Sequence, residues 1–431
     1  MAATRQLGLW SATALVVASM VGSGVFTTSG FLLRDLGDPK LTLAGWLCGG
    51  ILAALGALCY GALAERIPES GGEYRFLSDT LHPAAGYVAG LISLLVGFSA
   101  PLAAVAYGFG SYANLWLGGI SPQASGSLLI LAFAVLHALD VKTGAGAQNL
   151  VVAVKLLLIG GFIIYGLSRI DWGAAPSVKG EFSLPVFAVS LVWISFSYSG
   201  WNAAVYVGGE VKNPQRNLPL ALLLGAGAVT VLYLGLNAVF VFSAPPEALA
   251  GKVEVARIAA EALGGKPLAH FVTALIVLAL ATSASSLLMA GPRVYAQAAR
   301  DGYLPGAFEG RGGPPRWSIG LQAVAAWGLL WSMRYEALLT YIGFTLSLST
   351  AATVAGLARL RLREGASVRA PGWPWVPAIF LAATLGIGAF TIWQRPWESL
   401  FGFGTVALGL AMWRWLPRRD PEEKRMSPEA V

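Results

Sequence analysis

Gly22, Ser23 and Gly24 stand together inside an apolar run near the start of the chain, in SMVGSGVFTTSG (19–30). Each glycine costs a helix about 1 kcal/mol relative to alanine, so the cluster invites a local break. The half-helix after a break presents free N–H groups and the positive end of its dipole, which suits an anion the size of a carboxylate. Close packing of helices on small residues is the competing explanation, and this segment alone leaves both open. A dinucleotide-binding loop is excluded, because no strand precedes the glycines.

A second interruption lies in ISFSYSGWNAAVYVGGEVKNPQRNLP (194–219). Ser195, Ser197, Ser199, Gly200 and Asn202 alternate with Phe196, Tyr198 and Trp201 in an otherwise apolar stretch. Irregular backbone at membrane depth is tolerated only where it is buried in protein or lines a cavity. So many polar groups together favour a binding role over packing. A third feature is Lys155, in GAQNLVVAVKLLLIGGFIIYG (146–166). It sits about nine residues, or ~13 Å, from the nearer end of its apolar run, too deep to reach water easily by snorkelling. A cation at that depth is functional by default. Two roles fit it: a proton carrier, or a fixed cation in the place of a bound sodium ion.

Charged residues otherwise gather between the apolar runs: Glu65, Arg66, Glu69, Glu73 and Arg75, then Glu210, Lys212 and Arg216, then Arg293, Arg300 and Asp301. Of these, Arg66, Glu73, Glu210 and Arg293 are candidates for ion pairs that close a cytoplasmic gate. Solvated loop charge is the plain alternative. His82, His137 and His270 are scattered, without the spacing of a metal site. There is no nucleophile elbow or Walker loop, and no paired catalytic set, so neither an enzyme nor a cofactor is expected.

The elements that must position these residues follow from composition. Of 431 residues, 56% are hydrophobic and only 12% charged, about half the charge of a soluble domain. The apolar runs are long enough to cross about 30 Å of hydrocarbon as helices, and they lack the dyad alternation of a barrel. Spans are expected at about 9–32, 41–64, 84–117, 126–139, 147–167, 185–208, 218–243, 268–292, 317–333, 337–358, 373–393 and 398–416. The loops of one alternate set hold nineteen Lys and Arg against nine in the other, with Lys155 in neither. That asymmetry places both termini in the cytoplasm. It also accounts for the net charge of +7 without a nucleic-acid partner. Cys48 and Cys59 share one apolar run, which offers no disulfide framework. The first run reads as a retained span rather than a removed signal, and 418–431 as a disordered cytoplasmic tail.

The two interrupted runs open two successive groups of five spans. Interrupted helices at matching positions of two halves point to a transporter site built on inverted repeats. The chain also resembles the amino acid–polyamine–organocation superfamily, and within it bacterial relatives of the L-type amino acid transporters. The resemblance rests on GSGVF in the first span, ERIPESGGEY after the second, GAQNLVVAVKLLLI across the fifth, SYSGWNAAVYVGGEVKNPQRNLP through the sixth and ARDGYLP after the eighth.

The resemblance implies an all-α membrane protein of twelve helices. Spans 1–5 (1–167) and 6–10 (168–370) would form an inverted five-plus-five repeat with broken helices 1 and 6, followed by two further helices (371–417). It implies a substrate carboxylate on the N–H groups of Gly22, Ser23 and Gly24. The amino group would lie among carbonyls around Val17, Met20, Phe196 and Ser199, beside Ser197 and Gly200. Phe196 falls where the family has an aromatic lid, Trp201 and Asn202 near the side-chain pocket, and Lys155 on the lysine that replaces sodium in sodium-independent members. Ser199 departs from a family glycine and adds a hydroxyl. The loop LGGISPQASG has no cysteine, so no disulfide-linked heavy chain is expected.

The expected function is sodium-independent transport of amino acids in the bacterial inner membrane, by exchange or proton coupling. Neutral L-amino acids are favoured, because the named pocket residues include no acid. A cationic amino acid or polyamine permease is the alternative within the class, and a membrane-embedded sensor the alternative outside it.

Overall fold

The computed structural model describes residues 7–139, 145–172, 182–300, 304–310 and 313–415, with no side-chain description for 145–152 and 297. The tail 418–431 lies outside the described residues, as do Asp301 and several loop cations. Helices occupy all twelve expected stretches. The first holds two, α1 (Leu9–Met20) and α2 (Gly24–Leu36), bent by 46°. Then follow α3 (Pro39–Arg66), the short α4 (Gly72–Thr80), α5 (Pro83–Ile92) and α6 (Ala100–Leu117). A π-helical stretch, Ser93–Ser99, joins α5 to α6 as one long span. Next come α7 (Pro122–Ala138), α8 (Ala145–Arg169), α9 (Leu184–Tyr198), α10 (Pro214–Phe242) and the four-residue α11 (Pro246–Leu249). The chain closes with α12 (Val255–Arg300), α13 (Arg316–Ser332), α14 (Tyr335–Glu364), α15 (Trp375–Gln394) and α16 (Pro396–Trp415).

Seven helices are long and apolar enough to cross a membrane, and the bent pair α1–α2 makes an eighth. The helices at the other four expected spans, α7, α8, α13 and α16, do not reach that standard among the described residues. The chain is therefore an all-helical multi-span membrane protein with a broken first helix.

Inside a bilayer, apolar surface gains little by turning from lipid to protein, so helices associate through close fit and hydrogen bonds. The face of α3 shows how. At Gly49 an added Cβ would lie 3.1 Å from the Tyr198 ring, and at Gly45 it would lie 2.9 Å from Ile194. The missing side chains seat α9 against α3 immediately before the second interruption. Polar groups then lock α2 in place. The Trp46 indole donates to Ser29 Oγ at 2.9 Å, Ser29 donates to Asn237 Oδ1, and the Asn237 amide donates to Tyr233 O at 2.8 Å. This buried chain ties the half-helix after the first break to α3 and α10. Cys48 and Cys59 are both free.

Candidate functional site

The first break is a few residues wide. Helix α1 stops at Met20, and Gly22 N–H turns back onto Met20 O at 2.8 Å. Helix α2 then starts at Gly24 with Ser23 as its N-cap. The first N–H groups of a helix have no intrahelical acceptor. Gly22 N–H is thus already engaged, and the donors at the mouth of α2 are those of Ser23, Gly24 and Val25. Ser23 Oγ is buried, with 1% of the residue exposed, and stands beside the Tyr335 hydroxyl without completing a hydrogen bond of good geometry. A buried hydroxyl without a completed hydrogen bond, beside free N–H groups, is open to a ligand that completes it.

The second interruption follows Tyr198. Ser199–Asn202 leave helical geometry, Gly200 takes φ +96°, and the chain resumes as a 3-10 turn over Ala203–Glu210. Positive φ at Gly200 is readily available only to glycine. An added Cβ there would also lie 2.7 Å from Ser19 O. The two breaks touch. A Cβ on Gly24 would fall 2.6 Å from Ser197 Cα, and Thr28 Oγ1 lies 3.1 Å from Ser197 Oγ. Tyr233 of α10 clasps both, its hydroxyl lying 2.6 Å from Met20 O and 3.0 Å from Ser197 O. One proton serves two carbonyls, one from each interrupted helix.

Lys155 completes the group. It is 6% exposed, and its ammonium donates to Val21 O, inside the first break, at 3.1 Å. Among the described residues it joins no ion pair. The partner is thus a carbonyl freed by the helix break.

Other expected site residues have different positions. Val17 O accepts from Val21 N, and Phe196 O from Ser199 N. Ser197 Oγ is taken up by Trp193 O and Thr28. Trp201 stands edge-on to Tyr60 of α3, with ring centroids 4.7 Å apart. The Asn202 amide donates to Glu73 at 3.0 Å. Phe196 is buried.

The four gate candidates are not brought together as ion pairs. Arg66 pairs with Glu364 at 3.1 Å, and Arg293 donates to Met289 O within its own helix. Glu210 contributes its carbonyl to Leu7 N. Glu73 is buried and drawn to neutral donors instead, because an isolated buried carboxylate needs hydrogen bonds more than a distant cation. The bidentate pair joining separate helices lies at the opposite end of α14, where Arg34 of α2 meets Glu336 at 2.8 and 3.0 Å. Sequence reasoning missed Tyr233. Its only signal is a pair of polar groups, Tyr233 and Asn237, one turn apart in the middle of an apolar run.

A model of the amino acid permease family matches residues 7–406. The mouse large neutral amino acids transporter small subunit 2 is 27% identical over 427 residues, covering 95% of this chain and 80% of that protein. The serine/threonine exchanger SteT of Bacillus subtilis (strain 168) is 33% identical over 236 residues, covering 54% of each chain. The mouse b(0,+)-type amino acid transporter 1 is 33% identical over 257 residues, 57% of this chain and 53% of that protein.

Proposed function

The chain belongs to the amino acid permease family, and from that premise we propose that it moves neutral L-amino acids without sodium, by alternating-access exchange or with protons. Membership makes it a multi-pass amino acid transporter and not an enzyme. The substrate and the coupling are our reading. It rests on one observation above all: two interrupted helices meet at Gly24 and Ser197, under one tyrosine whose hydroxyl spans a carbonyl of each. The mouth of α2 suits the α-carboxylate, with Ser23 Oγ as an added donor. Backbone carbonyls of the breaks suit the α-ammonium. Lys155 holds Val21 O in the unwound backbone, in the role either of a fixed cation that replaces a sodium ion or of a proton carrier.

Neutral side chains follow from how the nearby acid is used. Glu73 touches Asn202, yet it already accepts from Tyr60, Asn202 and Ser349. A buried carboxylate held by three neutral donors is tied into the protein's own hydrogen bonds rather than offered to a cationic side chain, which disfavours arginine, lysine and polyamines. Two relatives carry names with uncharged cargo, large neutral amino acids and serine with threonine. The proposal extends to the inverted repeat of 1–167 and 168–370 with two added helices, to an inner-membrane location with cytoplasmic termini, and to a chain that works without a disulfide-linked partner.

Competition on reconstituted protein tests it. Uptake of a labelled neutral amino acid is expected to run at the same rate when choline replaces sodium. Its methyl ester and its N-acetyl form are each expected to compete about 10- to 100-fold less well, from the loss of a charged hydrogen-bonding group. An ester that competes as well as the acid removes the carboxylate from the mouth of α2, and the reading fails.

A further inference from the structure

Glu73 is 3% exposed and stands on α4, a short helix between the second and third spans. Its partners come from three other elements. Tyr60 of α3 donates to Oε1 at 2.7 Å, and Asn202, just past the second break, donates to the same oxygen at 3.0 Å. Ser349 of α14 meets Oε2 at 2.5 Å. All three are uncharged.

Three arginines, on α3, α4 and α14, are committed elsewhere. Arg75 on the same helix pairs with Asp79 at 3.0 Å, and Arg66 of α3 with Glu364. Arg359 of α14 donates to Leu81 O at 2.9 Å and to Thr80 O at 3.3 Å. Tyr87 of α5 packs on Trp413. Among the described residues, the titratable groups that face Glu73 are the hydroxyls of Tyr60 and of Tyr206, from the 3-10 turn. Burial pushes the carboxyl up from its ordinary value, and the bonds from Ser349, Tyr60 and Asn202 hold the rise in check.

The two oxygens are not equivalent. Oε1 takes two donors that suit it in either state. Oε2 meets a single hydroxyl, which can donate to a carboxylate or accept from a carboxylic acid. A proton on Oε2 therefore needs only the Ser349 O–H to turn, with no heavy atom displaced.

From this asymmetric cage we propose that Glu73 is a proton-binding site, and that its protonation is coupled to opening of the second helix break. The proposal rests on the transporter reading above. Asn202 belongs to the interrupted helix, whereas Tyr60 and Ser349 belong to α3 and α14. Movement of the break withdraws one donor from Oε1 and changes the proton affinity of the site. Linkage then requires the proton to bias the break by the same free energy. The step is a simple association: the carboxylate takes a proton from water and returns it to water in the other conformation.

Proteoliposomes with a trapped pH dye, free of sodium, provide the test. In the wild type, adding a transported amino acid outside is expected to acidify the lumen, and an inward proton gradient to drive accumulation. Glu73→Gln mimics the protonated acid, since its amide can donate to Ser349 while its carbonyl accepts from Tyr60 and Asn202. It is expected to keep counterflow and to lose both the acidification and the gradient-driven accumulation. Ser349→Ala removes a donor to the ionised form, so the pH midpoint of accumulation should move upward.

A wild type that exchanges amino acids without moving protons overturns the proton site and leaves the transporter reading standing. A Glu73→Gln protein that still acidifies the lumen overturns it as well. If Glu73→Gln loses all transport, Ser349→Ala decides: an unchanged midpoint overturns the proposal, and an upward shift supports it. Absence of counterflow with any amino acid in the wild type is the separate failure of the transporter reading.

Discussion

Gly24→Ala is expected to reduce amino acid exchange by about 100-fold, the order of loss that a displacement near 1 Å can cause at a preorganised site. The added Cβ would fall 2.6 Å from Ser197 Cα and 2.7 Å from Ser197 Cβ. The first of these is backbone, so rotation of a side chain cannot relieve it. Helix α2 must then move away from α9, which separates the two breaks and pulls Met20 O and Ser197 O from the Tyr233 hydroxyl they share. Overpacking of this kind costs about 1–3 kcal/mol, too little to unfold most domains, so the protein should still purify as a single species. Gly22→Ala is the internal comparison. Its Cβ would meet nothing closer than Met20 O at 3.9 Å, and its loss should be much milder. Counterflow rates per reconstituted transporter measure both. Equal damage at the two glycines would mean that flexibility, not the approach to Ser197, is what the cluster supplies.

Lys155→Ala should be nearly as severe, with exchange falling at least about tenfold from the loss of a buried, charge-assisted hydrogen bond of roughly 1.5–3 kcal/mol. The ammonium is the group that holds Val21 O at 3.1 Å, and without it the unwound segment between α1 and α2 loses its anchor. Lys155→Arg is not expected to rescue, because a planar guanidinium does not replace a compact ammonium in a closed pocket. The pH dependence of the residual transport separates the two roles open to this lysine. A proton carrier takes the pH sensitivity with it when removed. A fixed cation leaves the sensitivity in place, and this is the expected result if the proton resides on Glu73.

Particular residues show how far the sequence reaches. The break at 22–24 and the irregular stretch from Ser199 were legible, because glycines and hydroxyls stand out in apolar runs. The depth of Lys155 was legible by counting residues. The cage around Glu73 was not. Its segment, ERIPESGGEYR, is rich in charge, proline and glycine, which reads as a solvated loop. Its partners Asn202 and Ser349 come from distant stretches, 129 and 276 residues away, that only folding gathers around it and Tyr60. The same holds for Arg34 and Glu336, 302 residues apart in sequence. Ser197 shows a different limit. A serine in an interrupted helix suggests a substrate contact, yet its hydroxyl is taken up by Trp193 O and Thr28. At the mouth of α2 the buried hydroxyl without a completed hydrogen bond is that of Ser23. Composition marks where polar groups concentrate, and only geometry tells which of them are free.

On this proposal an amino acid occupies the junction of the two breaks and is carried across. Counterflow tests it most directly. Proteoliposomes are preloaded in turn with each of the common L-amino acids, and entry of one labelled neutral amino acid is followed without sodium. Strong stimulation is expected from a subset of neutral amino acids, and none from arginine, lysine or putrescine. Stimulation by the cationic compounds alone would contradict the neutral assignment. No stimulation by any amino acid, from protein that remains folded in the membrane, would contradict exchange itself and leave a sensor built on a transporter fold.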